Sequence, residues 1–100
     1  MNINISNENE KTTVLISGSI DIPGAESLKK SLSQILEDDT IKEVIIDFDG
    51  VNFIGSSGIG KLLLFYKNFT AKGGNVRIIN LNKEITALFK AIKLEKLFNI

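Results

Sequence analysis

The segment between residues 43 and 61 constrains the fold of this chain more than any other. The β-branched run 43–48 predicts a strand, and apolar residues at helical spacing begin directly after the glycine- and serine-rich stretch 55–60. A turn from a strand into a helix leaves unpaired backbone N–H groups at the helix N-terminus, where negative charge is stabilised. The sequence therefore predicts an α/β unit whose turn accommodates a phosphate, either on a bound nucleotide or attached to a serine.

The pattern of apolar residues predicts one α/β domain over residues 1–100 with the order β-β-α-β-α-β-α-β. Such an order implies a mixed, mostly parallel sheet with helices packed on it. The continuous apolar run Val44-Ile45-Ile46 predicts a central strand covered on both faces. The predicted strands are 2–6, 12–18, 43–48, 76–79 and a short last strand at 97–100, and the second helix spans 57–72.

Side-chain periodicity also predicts the ends and faces of the helices. Asp21 caps or precedes the first helix, Pro23 suits its first turn, and Gly73-Gly74 ends the second. Leu64 is predicted to be exposed and is a candidate partner contact, whereas Phe65 belongs either to the core or to that surface. The expected buried stripe of the second helix is Ile59, Leu62, Leu63, Tyr66 and Phe69, and that of the third helix is Ile85, Leu88, Phe89 and Ile92.

The amino-acid composition argues against several classes of partner and of catalytic chemistry. The chain has 12 basic and 12 acidic residues, which gives no electrostatic reason to expect nucleic acid or an anionic membrane. The absence of cysteine and histidine excludes disulfides, thiol nucleophiles, histidine acid–base catalysis and zinc sites of the usual kind, and we expect no cofactor and no metal. No apolar run approaches the roughly 20 residues that span a bilayer, and no signal peptide precedes the first strand. We expect a cytoplasmic protein that is not an enzyme.

Two nucleotide-binding motifs match the turn only in part. Residues 55–61 satisfy G-x-x-x-x-G-K, but Leu62 follows where a P-loop has a magnesium-binding Ser or Thr. The same turn is similar to the glycine-rich turn of short-chain dehydrogenases, but Ile54 occupies the position of the first glycine. Their Tyr-x-x-x-Lys is also missing, since Thr70 follows Tyr66 at that spacing. A small nucleotide-binding protein that uses the loop from Gly55 to Lys61 is therefore a minor alternative.

The whole chain resembles the STAS family of bacterial anti-sigma-factor antagonists. The resemblance rests on Gly18-Ser19-Ile20-Asp21, on Val44-Ile45-Ile46-Asp47, and on the stretch 51–60 around Ser56-Ser57-Gly58. It implies a regulatory protein that binds an anti-sigma factor with serine kinase activity and is released when the second serine of the turn is phosphorylated. That serine matches Ser57, with Ser56 as the alternative acceptor.

The resemblance also implies which residues surround the phosphorylation site. The family's usual Asp before the serine pair is Gly55 here, which leaves Asp21, Asp47 and Asp49 as the carboxylates that could line the site. Gly55, Ser56, Gly58, Gly60, Lys61 and Leu64 complete the expected partner-binding set. A second interpretation keeps the fold but makes the chain an unphosphorylated scaffold in a transporter or signalling complex, and a weak homodimer is compatible with an exposed Leu64.

Each of these residues also has a purely structural interpretation. Ser57 could be the N-cap of the second helix, a position that strongly prefers serine. Gly58 and Gly60 would allow a close approach within the fold, and Asp47 would accept a hydrogen bond in a turn. The structure separates these interpretations.

Overall fold

Four strands and three helices alternate along the chain after an opening hairpin, as a computed structural model of residues 1–100 shows. The third strand extends to residue 54, beyond the predicted end at residue 48. The elements are β1 (Asn2–Glu8), β2 (Lys11–Ile20), α1 (Ile22–Glu37), β3 (Glu43–Ile54), α2 (Ser56–Ala71), β4 (Asn75–Ile79) and α3 (Lys83–Ala91).

The four strands form one sheet in the order β1-β2-β3-β4. β1 pairs with β2 in the antiparallel direction, and the β2–β3 and β3–β4 pairs are parallel. The predicted mixed, mostly parallel sheet is therefore confirmed. Each parallel connection passes through a helix, as the crossover between parallel strands requires.

The helices cover only one face of the sheet, so the prediction that the central strand is covered on both faces is wrong. Val44 and Ile46 are fully buried, but Ile45 between them is half-buried, and Leu15 on the neighbouring strand β2 is 38% exposed. The physical reason is topological. β2, β3 and β4 follow one another in one direction across the sheet, and right-handed crossovers in a constant direction place every connecting helix on the same face.

Hydrogen bonds to nearby residues define where α1 begins and where α2 ends. The Asp21 carboxylate accepts a hydrogen bond from the Gly24 N–H at 2.8 Å and caps α1, as predicted. α2 ends in a Schellman turn, in which the Gly74 N–H donates to the Phe69 carbonyl at 3.0 Å and the Gly73 N–H to the Thr70 carbonyl at 2.9 Å. Gly73 has a φ of +87°, which explains why glycine occupies that position.

The predicted last strand is absent. Residues 97–99 form turns, yet Phe98 is fully buried and its carbonyl accepts a hydrogen bond from the Ile78 N–H at 3.0 Å. The segment therefore lies along the edge of β4 without a strand ladder, because burial of the Phe98 ring fixes its position.

The predicted buried faces of α2 and α3 agree with the structure at most positions. Phe65 belongs to the core, since it is 2% exposed, and Leu64 is 50% exposed as expected. Ile92 is the exception in the third helix, where it lies just past the last helical turn and is 42% exposed. None of the three helices combines the length and the apolar character needed to cross a membrane.

Candidate functional site

The two serines lie at the start of α2, directly after the turn that follows β3. Gly55 is the N-cap of α2, with extended backbone angles, and Ser56 and Ser57 are the first two helical residues. The Gly55 N–H donates to the Ile20 carbonyl at 3.0 Å, and the Gly55 carbonyl accepts from the Ile59 N–H at 3.1 Å. The turn is thus joined to the end of β2 on one side and to the first turn of α2 on the other.

The interpretation of Ser57 as an N-cap is wrong. The cap position is two residues earlier, at Gly55, which has no side chain to accept a hydrogen bond from the helix. Long-range pairing fixes this position, because β3 stays in register with β2 as far as the Ile20–Ile54 pair and the helix begins directly afterwards. Neither serine is therefore explained by capping.

The N-terminus of α2 is consequently rich in unpaired hydrogen-bonding groups. The backbone N–H groups of Ser56, Ser57 and Gly58 have no acceptor within the chain. Neither serine hydroxyl makes a hydrogen bond to another group of the chain. Ser56 is exposed and Ser57 is half-buried. This arrangement can accept an anion at the helix N-terminus without losing any existing hydrogen bond.

A surface cavity of about 460 Å³ opens directly beside the serine pair. Its lining includes two large apolar side chains that are unusually exposed, Ile22 at 71% and Phe53 at 52%. Apolar groups clustered at the surface mark interaction sites, whereas single ones do not. The cavity is lined by Asp21, Ile22, Pro23, Phe53, Gly55, Ser56 and Ser57.

Sequence reasoning missed Ile22 and Phe53. A signal was present for Ile22, because it is the first residue of α1 and precedes the buried apolar stripe that starts at Ala25. Phe53 directly precedes the buried residue Ile54 near the end of β3, and its exposure depends on the strand pairing, so the local sequence did not reveal it. Both side chains are therefore available to a partner.

Of the three carboxylates considered, only Asp21 lies beside the serines. Asp47 and Asp49 lie within β3, seven and five residues before its end, which corresponds to roughly 15–25 Å at the rise of an extended strand. Asp47 accepts hydrogen bonds from the Asp49 N–H at 2.9 Å and from the Asn80 side chain at 3.0 Å. The structure thus gives Asp47 the local hydrogen-bonding role and does not bring it or Asp49 to the turn.

The two glycines after the serines differ in their surroundings. A Cβ atom on Gly58 would lie 2.6 Å from the Ile20 Cγ2 and 3.0 Å from the Ile54 Cγ1, so the packing of α2 on the strand ends requires glycine there. A Cβ atom on Gly60 would have no neighbour within 4 Å. Gly60 is exposed one helical turn from the serines, and nothing inside the fold explains it.

Lys61 and Leu64 lie on the side of α2 that faces α1, about one and two helical turns after Ser57, and outside the cavity beside the serines. The Lys61 ammonium is 3.5 Å from the Glu26 carboxylate, and both Lys61 and Leu64 line a shallow groove between α1 and α2. Leu62, which takes the place of the P-loop hydroxyl, is 1% exposed and faces the core. No hydroxyl is therefore available at that position to hold magnesium.

The chain matches proteins of one family over nearly its entire length. The family model for the STAS domain matches residues 2–100. A curated relative from Bacillus subtilis (strain 168), an anti-sigma-B factor antagonist, is 29% identical, and the match covers 100% of this chain and 92% of the relative.

Solved structures share the fold. An anti-sigma factor antagonist from Mycobacterium paratuberculosis superposes with a TM-score of 0.85 at 22% identity, covering 97% of this chain and 81% of that one. The Bacillus cell fate determinant SpoIIAA in its phosphorylated form superposes with a TM-score of 0.79 at 18% identity, covering 96% of this chain and 87% of SpoIIAA. The resemblance seen in the sequence is thus confirmed: the chain belongs to the STAS-domain family.

Proposed function

We propose that this chain is an anti-sigma-factor antagonist that binds an anti-sigma factor with serine kinase activity and is released by phosphorylation of Ser57. The observation that carries the proposal is the uncapped N-terminus of α2, with two unbonded serine hydroxyls beside the exposed side chains of Ile22 and Phe53. The curated relative named above, an anti-sigma-B factor antagonist, supports the same function.

The same position gives phosphorylation opposite effects on the fold and on the complex. A phosphate on Ser57 adds about −1.5 to −2 charges and faces unpaired N–H groups, where the helix dipole stabilises it by roughly 0.3–1 kcal/mol. The fold therefore tolerates the modification. A partner packed over the turn would have to desolvate the phosphate, which costs several kcal/mol. One modification can thus leave the domain folded and dissociate the complex.

Ile22 and Phe53 give the proposed interface its apolar contact. Removing apolar surface from water is the dominant favourable contribution to most protein–protein association, and the effect is concentrated at the desolvated centre of an interface. Both side chains line the cavity that contains the serines, so a partner seated on them also covers Ser57. We expect Phe53→Ser to weaken binding at least tenfold. Ile92→Ser is the matched control, because Ile92 is also exposed, at 42%, but lies outside the cavity and outside the predicted partner-binding residues.

Affinity capture from a bacterial lysate tests the proposal. The baits are the wild-type chain, Ser57→Ala, Ser57→Asp and Asn68→Asp, and captured proteins are identified by mass spectrometry. The wild type, Ser57→Ala and Asn68→Asp should retain a kinase-type anti-sigma factor, and Ser57→Asp should lose it. Asn68→Asp adds the same charge on the exposed surface of the same helix, about 16 Å along its axis from Ser57, and so controls for charge alone.

The captured kinase then identifies the acceptor serine. Incubation with ATP should add one phosphate to the wild type and none to Ser57→Ala, as measured by intact-protein mass spectrometry. Phosphate transfer to Ser57→Ala that disappears in Ser56→Ala would assign the acceptor to Ser56 instead.

One observation favours a second function, an unphosphorylated scaffold in a transporter or signalling complex. Gly55 provides no carboxylate next to the serine hydroxyls, where the family pattern has Asp. Retention of the same non-kinase partner by the wild type and by Ser57→Asp would support the scaffold and contradict the phosphorylation switch.

A further inference from the structure

The outer edge of β1 is the open edge of the sheet. β1 pairs with β2 on one side and is the terminal strand of the order β1-β2-β3-β4. At the opposite end of the sheet, β4 is partly covered, because the Ile78 N–H donates to the Phe98 carbonyl of the C-terminal segment. The chain therefore covers one edge and leaves the other available for pairing.

The register of the hairpin shows which backbone groups face outward. Glu8 pairs with Lys11 across a two-residue turn, and residues at alternate positions of an antiparallel strand bond to the same neighbour. Residues 2, 4, 6 and 8 thus bond to β2. The N–H and C=O groups of Ile3, Ile5 and Asn7 point away from the sheet, where no other element of the chain lies beside β1.

β1 lacks the features that usually protect an open edge. Soluble proteins place proline, lysine, bulges or inward-pointing charges on such strands to prevent pairing with another chain. β1 contains no proline and no basic residue, its only charge is Glu8 at the end, and it pairs with β2 without a register shift. Ile5 at its centre is 42% exposed. The strand is seven residues long and is free to accept a further strand.

We propose that this edge joins two copies of the chain through antiparallel pairing of β1 with β1 of the second copy, centred on Ile5. In this register, Ile5 faces Ile5 of the partner, and Ile3 faces the partner's Asn7. Asn4 then faces the partner's Ser6, and Glu8 faces the partner's Asn2. No like charges oppose each other, and the three outward-facing residues of each strand are all hydrogen-bonded. The product is a continuous eight-stranded sheet with two-fold symmetry.

The dimer is expected to be weak. One strand pair with few large side chains buries less than the roughly 1,200 Å² of a stable interface. We therefore expect an appreciable fraction of dimer only at high protein concentration. It involves neither the serine cavity nor Leu64, and it therefore stands independently of the proposed function.

Two measurements on the whole chain test the dimer. Sedimentation equilibrium from about 10 µM to about 1 mM should show concentration-dependent dimerisation for the wild type. Ile5→Lys places like charges opposite each other at the centre of the pair and should weaken association at least tenfold. Leu64→Lys, the matched control on α2, should dimerise like the wild type. Circular dichroism and thermal melting establish that both variants are folded.

Amide hydrogen exchange on the wild type locates the interface without any substitution. The N–H groups of Ile3, Ile5 and Asn7 should become protected as the concentration rises, while other exposed amides do not change. A monomer throughout the concentration range, protection confined to α2, or loss of the dimer in Leu64→Lys but not in Ile5→Lys would each overturn the proposal.

Discussion

Gly58 and Gly60 are on the same helix, but the space around their Cα atoms differs, so different physical factors explain the two glycines. The Gly58 position is filled by the side chains of Ile20 and Ile54, whereas the Gly60 position faces open space. An unforced glycine in a helix costs about 1 kcal/mol relative to alanine, so Gly60 lowers the stability of the fold with no internal compensation. Under the proposed function, a bare backbone at Gly60 would let the partner approach the serine turn closely.

The same substitution at these two positions should therefore have opposite effects. Gly60→Ala should stabilise the protein by about 0.5–1 kcal/mol. Gly58→Ala should destabilise it by roughly 1–3 kcal/mol, because the new methyl group overlaps two core side chains. Urea denaturation at constant m-value measures both changes. Equal destabilisation by the two variants would show that Gly60 is needed inside the fold.

Gly55 is a second position at which a substitution should affect stability and phosphorylation through different properties of the new side chain. A side chain there fits, because its backbone is extended and a Cβ atom would be 3.5 Å from the Phe53 ring, an ordinary contact. Gly55→Asp should cap α2 and raise the free energy of unfolding by a few tenths of a kcal/mol. The added carboxylate should also speed phosphate transfer by the captured kinase. Gly55→Asn, which caps without a charge, distinguishes the two effects in a phosphorylation time course.

At the scale of elements, Lys72 joins the C-terminal ends of α1 and α2. Its ammonium donates a hydrogen bond to the Leu36 carbonyl and lies 2.9 Å from the Asp39 carboxylate. The hydrogen bond from Lys72, together with its positive charge, lowers the pKa of Asp39 below its ordinary value of 3.8. The contact is solvent-exposed, so its contribution to the free energy of unfolding is small and salt-dependent.

The sign of the pH dependence follows from that shift. Because the pKa of Asp39 is lower in the folded state, its stabilising contribution is present above pH 3.8 and is lost as the pH falls through the folded pKa. Lys72→Met should raise the pKa of Asp39 toward its ordinary value, as measured by NMR titration of the side-chain carboxyl. Lys67→Met, which removes an exposed lysine without an ion pair, should leave that pKa unchanged.

At the scale of the whole molecule, the C-terminal segment closes the core without regular secondary structure. The Phe98 ring is fully buried and meets Tyr66 and Phe89 edge-on, with ring centroids 5.4 Å and 6.2 Å apart. Its backbone carbonyl also covers the edge of β4. A single residue thus contributes to both core packing and the protection of the sheet edge.

Removal of that ring should destabilise the entire domain. Phe98→Ala should lower the free energy of unfolding by about 3–5 kcal/mol, since it deletes a fully buried aromatic side chain and leaves a cavity. Leu97→Ala, at a neighbouring side chain that is 37% exposed, should change it by less than about 1 kcal/mol. Thermal melting of the two variants beside the wild type gives the comparison, and similar melting temperatures for both would show that the segment is not part of the core.

The distribution of charge is also a property of the whole molecule. Residues 1–50 carry 4 basic and 10 acidic groups, a net −6, and residues 51–100 carry 8 basic and 2 acidic groups, a net +6. The fold brings oppositely charged groups from the two halves together, as in the pairs Lys61–Glu26 and Lys72–Asp39. These two pairs both join α2 to α1 or to the residues just after it.

The sequence by itself determined the features that depend on neighbours along the chain. Side-chain periodicity located the three helices and the first four strands, the carboxylate of Asp21 marked the start of α1, and the glycine pair at 73–74 marked the end of α2. The resemblance around Ser56 and Ser57 gave the family. These features are predictable because helix capping, turn formation and amphipathic patterning act over a few residues.

Only the tertiary structure decided what depends on contacts between distant residues. Pairing with β2 extended β3 to Ile54, which made Gly55 the helix cap and kept Asp47 and Asp49 away from the serines. The handedness of the crossovers placed the two connecting helices, α1 and α2, on one face, and burial of Phe98 replaced the expected last strand. The exposure of Ile22 and Phe53 beside Ser57 likewise depends on the fold, which brings the start of α1 and the end of β3 to the same cavity. Strand register and side-chain burial depend on contacts between residues that are far apart in the sequence, so a local sequence pattern does not predict them.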